Sequence, residues 1–240
     1  AFDTASSNYL KPRPWVAAAN GPASFFQQSV STNFSVSIDG GNDRSTFKLG
    51  YTRNDDKGIL PNSKISKNLV NFGSTFNLTS QLTAGATIGY TNVQGKGRYG
   101  TGYDGTNGRN LMTNFRQWWA TNVDILEQKA AYSRHQKNVT WNWRSNGANT
   151  TPIFWDNPYW VRYQNFGTDG RNRIIGNANL NYRPIEWLSI LGRVSTDVYS
   201  EQQDDIIAVG SKPTAAYTRS NHNFRETNYD LIFNFEKDLS

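Results

Sequence analysis

Seven stretches of the sequence alternate apolar and polar residues one by one. Within 69–78, Val70 and Phe72 fall on one face while Asn71 falls on the other, and 82–91 repeats the pattern. Successive side chains of a β-strand point to opposite faces, so each stretch predicts a strand with one apolar and one polar face. The sequence therefore predicts an all-β protein.

The connections between these predicted strands alternate between short and long. The short ones lie near 39–43, 79–81 and 183–186, and the long ones near 53–67, 93–171 and 202–222. An up-and-down sheet places every second connection at the same end, so the short turns share one end and the long loops the other. This asymmetry is typical of outer-membrane barrels and predicts an antiparallel up-and-down transmembrane β-barrel.

Local composition agrees with a barrel. The polar faces are built mainly of Asn, Ser, Thr and Gly rather than Lys and Glu, which suits a crowded polar lumen. Six aromatic residues near strand ends would form interfacial girdles: Tyr51, Tyr90, Tyr182, Trp187, Tyr199 and Tyr229. The cluster Asp39-Gly40-Gly41-Asn42 predicts a first tight turn in which glycines supply positive φ. No run of about 18 apolar residues exists, which excludes a transmembrane helix.

Seven strands leave two unpaired edges, which a bilayer does not tolerate. We therefore expect residues 1–240 to be a partial barrel domain that is completed by strands outside this sequence. The sequence near Ala1 lacks the basic start and apolar core of a signal peptide. We therefore expect either a mature chain or, in preference, an internal piece of a longer chain.

Several function classes are disfavoured by composition. The chain contains no cysteine, which removes disulfides and thiolate chemistry, and its net charge of +6 is spread out rather than gathered into a nucleic-acid footprint. The G-x-G-x-x-G match at 95–100 lacks the strand and helix context of a nucleotide site. His135 and His222 are isolated, and the adjacent acids at 55–56 and 204–205 are interpreted as solvated charge. We expect no catalytic residue, metal or cofactor.

Five phrases carry a family resemblance, and they are FFQ at 25–27, SVSIDGGND at 35–43, DKGILPNS at 56–63, NPYW at 157–160 and WLSILGR at 187–193. In this order they resemble the barrel of SusC/RagA-type TonB-dependent outer-membrane transporters. The resemblance implies a plugged barrel of about 22 strands, of which this chain would form about seven. No counterpart of the plug is present in the sequence.

The resemblance also implies a function. Members of the family import glycans or peptides across the outer membrane of Bacteroidota, with energy from the TonB complex and with a SusD-like surface lipoprotein as lid. Two alternatives stay open on the residues alone. The chain could belong to a passive porin or adhesin barrel, or it could be a soluble secreted β-sandwich that binds carbohydrate.

The long loop at about 95–170 is expected outside the cell, with a helix across 111–122. Its aromatic residues are the best candidates for contacting a substrate or partner, because planar rings offer large contact area at low entropic cost. The candidates are Trp118, Trp119, Trp141, Trp143, Trp155, Tyr159 and Trp160. The alternative, that these side chains only pack the loop against itself or against a partner, is favoured because aromatics supply most of the burial available to such a loop.

Overall fold

The computed structural model describes residues 3–98, 100, 110–145 and 149–237. The strands are β1 (Val30–Asn42), β2 (Ser45–Lys57), β3 (Lys64–Asn77), β4 (Leu82–Lys96), β5 (Trp143–Ser145), β6 (Asn149–Pro152), β7 (Gly167–Ile185), β8 (Leu188–Ile207) and β9 (Ala216–Phe235). Seven of them form one antiparallel sheet in the order β1-β2-β3-β4-β7-β8-β9, and β5 pairs with β6 in a small hairpin. The predicted all-β fold and its seven-stranded meander are confirmed.

The helices are short and lie between β4 and β7. They are α1 (Leu111–Thr113), α2 (Ile125–His135) and α3 (Pro158–Gln164), while Asn114–Trp118 forms a π-helical turn and Pro22–Phe25 a 3₁₀ turn before β1. The helix expected across 111–122 is therefore only partly correct, because the chain becomes extended at Trp119. Among the described residues, no helix is long and apolar enough to cross a membrane. The glycine-rich segment expected at 95–108 falls largely outside the described residues.

Neither face of the large sheet is covered. Within its seven strands only Ser74 and Gly167 are buried. Register places one apolar row side by side across six strands, formed by Val36, Tyr51, Val70, Tyr90, Ile174 and Val198. In a sandwich one face would pack against a second sheet, and no such sheet covers this one within the described part of the chain. The architecture is that of a barrel segment.

The upper end of the apolar band lies closer to the short turns on the last strand than on the first, although it stays in one row from β2 to β8. On β1 the apolar band begins at Phe34. The residue of β9 that lies in the same register row as Phe34 is Asn223, but the band on β9 begins six residues further along the chain, at Tyr229. Taken between the two end strands, which are six strand spacings apart, this shift corresponds to a strand tilt of about 35°. On β8 the band runs from Leu188 to Val198, which is about 27 Å measured along the barrel axis at that tilt. Both values match a transmembrane barrel.

The first hairpin corrects one expectation. Asp39-Gly40-Gly41-Asn42 belongs to β1, and the turn itself is Asp43-Arg44, where the Asn42 side chain accepts hydrogen bonds of 2.9 Å from the amides of Arg44 and Ser45. Gly41 does not adopt positive φ. It is needed for close approach, because a Cβ atom there would lie 2.5 Å from the carbonyl oxygen of Ser45.

The strands are longer at the loop end than the alternation indicates. The three long connections are shorter than predicted and comprise residues 58–63, 97–166 and 208–215. β8 and β9 each contain 20 residues. Above the apolar band both faces carry polar and charged side chains, so the hydrophobic alternation disappears while the backbone ladder continues. Ion pairs such as Arg53 with Asp55 and Arg219 with Asp204 occupy these extensions. The short connections all lie at the opposite end.

A compact unit, here called the cap, packs over the loop end of the sheet. It consists of residues 3–29 and the described part of 97–166. Its core contains Phe25, Leu111, Ile125, Tyr132, Tyr159, Trp160 and Val161. Leu60 and Ala208, from the other two long connections, pack against this core. The cap therefore contains the apolar core that the sheet lacks, and it joins all three loops.

Candidate functional site

Arg162 on α3 anchors the cap to the sheet. Its side chain is almost completely buried, and its guanidinium group donates hydrogen bonds of 2.8 Å to the carbonyl oxygen of Pro61 and 2.7 Å to that of Gly97. The side-chain amide of Asn62 donates a 2.7 Å bond back to the carbonyl oxygen of Arg162. Burial lowers the pKa of the Arg162 guanidinium. One planar cation thus fixes two loop backbones to the same helix.

Buried amide side chains join the cap to the connection between β8 and β9. Asn157 caps α3 by accepting from the amide of Tyr159 at 2.8 Å, and its own amide donates to the carbonyl oxygens of Gln128 and Val139. Asn165 accepts hydrogen bonds from the amide of Ala208 and from Ser211. Both polar atoms of the Asn157 side chain and the side-chain oxygen of Asn165 are satisfied in this way, whereas Nδ2 of Asn165 is buried without a hydrogen-bond partner among the described residues. The satisfied groups favour one arrangement of the loops.

Asp156 is a buried carboxylate in the same region. It accepts hydrogen bonds of 2.7 Å from the side chain of Asn138 and 2.6 Å from the amide of Lys212. Burial raises the pKa of Asp156, and these two hydrogen bonds only partly oppose that shift. The charged form of this carboxylate is therefore disfavoured in the folded cap.

The N-terminal segment is tied to α2 by polar contacts. Asp3 is buried, pairs with Arg134, and lies 2.7 Å from the Nε2 atom of His135. Burial alone would raise the pKa of Asp3, but hydrogen bonds from Arg134, His135 and the amide of Ala5 outweigh it and hold that pKa below 3.8. These contacts make residues 3–29 an integral part of the cap.

The seven predicted aromatic candidates fall into three environments. Tyr159 and Trp160 are buried in the cap core, where burial raises the pKa of Tyr159 to about 12 and the Trp160 indole donates to Ser211 at 2.8 Å. Four are half-buried, namely Trp119, Trp141, Trp143 and Trp155. Trp119 packs edge-on against Phe115 and Trp141, with ring centroids 5.5 and 6.3 Å away. Trp118 is 54% exposed.

Sequence reasoning missed other exposed rings of the cap. Phe154 is 64% exposed and Trp15 is 80% exposed. Neither stands out in the sequence, because exposure within an irregular segment is decided by packing rather than by periodicity. Trp118, Phe154 and Trp15 are therefore the most exposed aromatic side chains of the described part of the cap, followed by Tyr163 and Phe26.

The polar face of the sheet has a different chemistry. Three arginine–carboxylate pairs follow β7, β8 and β9 on this face, with Arg171 bonded to Glu201, Arg173 to Asp197 and Arg193 to Asp230. Toward β2, β3 and β4 the face is lined by small residues, including Gly50, Gly73 and Gly89. A depression of about 820 Å³ spans both regions. Glycines in strands leave room for another chain to approach the backbone closely.

Comparisons with known proteins bear on the fold. No family model matches the sequence, and no curated protein matches it. The structure of the RagAB peptide importer in the 'closed-closed' state superimposes with a TM-score of 0.56 over 86% of this chain, at 14% identity. A second structure, of the RagAB peptide transporter, gives a TM-score of 0.54 over 86% of this chain, also at 14% identity.

This chain has the fold of a β-barrel segment. It covers 22% of the length of each RagAB chain that it matches. The similarity at this level of identity concerns the fold, and it agrees with the tilt and the band height measured on the sheet. The two faces of the sheet can therefore be called the outer face, which carries the apolar band, and the inner face, which carries the arginine–carboxylate pairs.

Proposed function

We propose that this chain forms part of an outer-membrane, TonB-dependent importer of the SusC/RagA type, which takes up peptides or glycans together with a SusD-like lipoprotein. The observation that carries this proposal is the combination of an apolar band of transmembrane height on the outer face with a polar, ion-paired inner face. The fold similarity to the RagAB peptide importer supports it and favours peptides as the cargo.

In this proposal the parts of the chain have separate tasks. The outer face contacts lipid, and the inner face surrounds the translocation path. The cap lies outside the cell and presents Trp118, Phe154 and Trp15 to cargo or to the lipoprotein. The protein carries its cargo without changing it chemically, so no enzymatic step is proposed.

Cysteine labelling tests the placement, because residues 1–240 contain no cysteine and any cysteine elsewhere in the full-length protein is first replaced by serine. We expect a membrane-impermeant maleimide to label Trp118→Cys of the full-length protein on intact cells. Ser80→Cys, in the turn between β3 and β4, should react only after the outer membrane is permeabilised. Leu180→Cys on the outer face should resist the polar reagent in both conditions. Equal labelling of all three variants on intact cells would contradict the placement.

Uptake measurements test the function itself. A strain that lacks the gene should lose accumulation of a fluorescent oligopeptide or oligosaccharide, and a protonophore should abolish that accumulation in the parent strain. Uptake that persists with the protonophore would instead indicate a passive pore.

A further inference from the structure

Asn20 and Gly21 lie where the N-terminal segment of the cap meets α2. The backbone carbonyl oxygen of Asn20 accepts a 2.9 Å hydrogen bond from the amide of Ile125, the first residue of α2. The side-chain nitrogen of Asn20, Nδ2, donates a 2.8 Å hydrogen bond to Oδ2 of Asp124, the residue that caps α2. Oδ1 of Asp124 accepts from the amide of Leu126 at 2.8 Å. Asn20 thus joins the segment before β1 to the start of a helix of the cap core.

An asparagine that is followed by glycine can be modified by its own chain. The backbone nitrogen of the glycine forms a bond to Cγ of the asparagine, the bond from Cγ to Nδ2 breaks, and ammonia leaves with the proton of the glycine amide. Water then opens the resulting succinimide ring to aspartate or isoaspartate. Glycine favours the attack because it has no Cβ atom to restrict the backbone rotation that brings the two atoms together.

The surroundings of Gly21 leave this attack unobstructed. Three Asn-Gly pairs occur in the sequence, at 20–21, 107–108 and 146–147, and the first lies within the described residues. The amide of Gly21 donates no hydrogen bond to any residue that the structure describes. A Cβ atom built on Gly21 would meet no heavy atom within 4 Å, and both residues of the pair are only half-buried. The attacking nitrogen is therefore free, and water has access to the ring that would form.

We propose that Asn20 is a self-modification site, which converts with time to aspartate or isoaspartate and thereby loosens the junction between residues 18–29 and α2. An aspartate at this position places a carboxylate beside Asp124 where an amide donor now lies, so an attraction becomes a repulsion and the cap of α2 is weakened. An isoaspartate lengthens the main chain by one carbon atom, which displaces Gly21 relative to α2. The reaction needs only the folded cap, so it does not depend on the proposed function.

The junction matters because both of its sides carry residues of the cap core. Phe25 follows Gly21 within the 3₁₀ turn and is 2% exposed, and Ile125 is completely buried at the start of α2. Phe25 packs edge-on against Tyr159, with ring centroids 4.9 Å apart. A change at Asn20 therefore alters the contact between two segments that are both needed to complete the core.

The test uses the folded full-length protein and a matched control variant. Gly21→Ala should block the reaction without disturbing the fold, because Gly21 has an extended backbone with φ −81° and open space where a Cβ atom would lie. A heat-dependent mobility shift on gels first shows that each protein is folded. Both proteins are then incubated at mildly alkaline pH in water labelled with heavy oxygen. The peptide that contains residues 20–21 is analysed by mass spectrometry, and isoaspartate is detected with an isoaspartyl methyltransferase.

We expect the peptide of the unmodified protein to gain mass, to incorporate one heavy oxygen atom and to accept methyl groups from the methyltransferase. Gly21→Ala should react about 10-fold more slowly, because its Cβ atom restricts the approach of the nitrogen to Cγ. The proposal would be overturned if the folded protein stayed unmodified over a period in which the denatured protein reacts completely. Equal rates in the two folded proteins would also overturn it.

Two further variants test the effect on the junction. Asn20→Asp imitates one product and should increase hydrogen exchange in the first turn of α2 about 5-fold, the change expected when a hydrogen bond of ordinary strength is lost. Asn20→Asp/Asp124→Asn should restore slow exchange, because the amide introduced at position 124 donates to the new carboxylate and an asparagine still caps the helix. Unchanged exchange in Asn20→Asp, or equally fast exchange in the double variant, would refute the loosening of the junction.

Discussion

The hydroxyl group of Tyr90 donates a hydrogen bond of 2.8 Å to the side-chain oxygen of Asn172. The two residues lie on β4 and β7, which are neighbours in the sheet although residues 97–166 of the cap are inserted between them. Asn92 donates a second 2.8 Å bond to the same oxygen. These two hydrogen bonds link β4 to β7 below the cap, at the level where the apolar band ends.

The sidedness of β7 can be tested with two arginine substitutions. Leu180 lies within the outer apolar band, so Leu180→Arg should destabilise the full-length barrel in lipid by about 2–3 kcal/mol. Asn177 lies on the inner face, where it donates a hydrogen bond to Thr87 and accepts a longer one from Asn179, so Asn177→Arg should cost about 1 kcal/mol. Urea unfolding in lipid vesicles measures both. Similar losses from the two substitutions would contradict the assignment of faces.

Substitution of Arg162 should lower the stability of the cap without lowering the stability of the barrel. Arg162→Ala leaves the carbonyl oxygens of Pro61 and Gly97 without their donor, which should cost about 2–4 kcal/mol of cap stability. Arg162→Lys should be nearly as harmful, because an ammonium group does not reproduce the planar geometry that serves two acceptors. Limited proteolysis within 97–166 reports on the cap, and heat-dependent gel mobility reports on the barrel. Unchanged proteolysis of both variants would exclude this role.

The two buried aspartates of the cap should respond to acid with opposite signs. Against the effect of burial, hydrogen bonds from Arg134 and His135 hold the pKa of Asp3 below its ordinary value, so its contribution to stability is present above the pKa of the unfolded chain and is lost as the pH falls through the lower pKa of the folded state. The pKa of Asp156 is raised, so its protonation on acidification favours the folded cap.

Asparagine substitutions separate these two effects. At pH 7, Asp3→Asn should increase hydrogen exchange in α2, because it removes the charge that pairs with Arg134. Asp156→Asn should leave exchange unchanged or reduce it, because Oδ1 still accepts from Asn138 and Lys212. Increased exchange of equal size in both variants would refute the opposite signs.

Substitutions of two tryptophans of the cap should affect different properties, one the stability of the cap and the other its binding to cargo or to the lipoprotein. Trp160→Ala removes a core side chain and should destabilise the cap by about 3–5 kcal/mol. Trp118→Ala removes an exposed ring, so it should weaken cargo uptake or lipoprotein binding while proteolysis of the cap stays normal. Normal uptake and normal lipoprotein binding by Trp118→Ala would remove Trp118 from the contact surface.

Periodicity by itself determined the faces of the sheet. Residues such as Val70 and Asn71 must project to opposite sides of a strand, so alternation predicts which face meets lipid and where the barrel strands lie. The alternation of short and long connections likewise predicts which end carries the loops. These features follow from local backbone geometry, and a single sequence is enough to read them.

Tertiary structure decided the rest. The Asp39–Asn42 glycines serve close approach rather than a turn, because the first turn at Asp43-Arg44 is stabilised by the Asn42 side chain. The strands extend beyond the residues that show hydrophobic alternation, because backbone pairing and ion pairs continue where both faces of the sheet are polar. The buried positions of Arg162, Tyr159 and Trp160 depend on contacts between segments about 100 residues apart in sequence, such as Arg162 with Pro61. Periodicity reports only on local geometry, so packing alone decides which rings of the cap are buried and which face solvent.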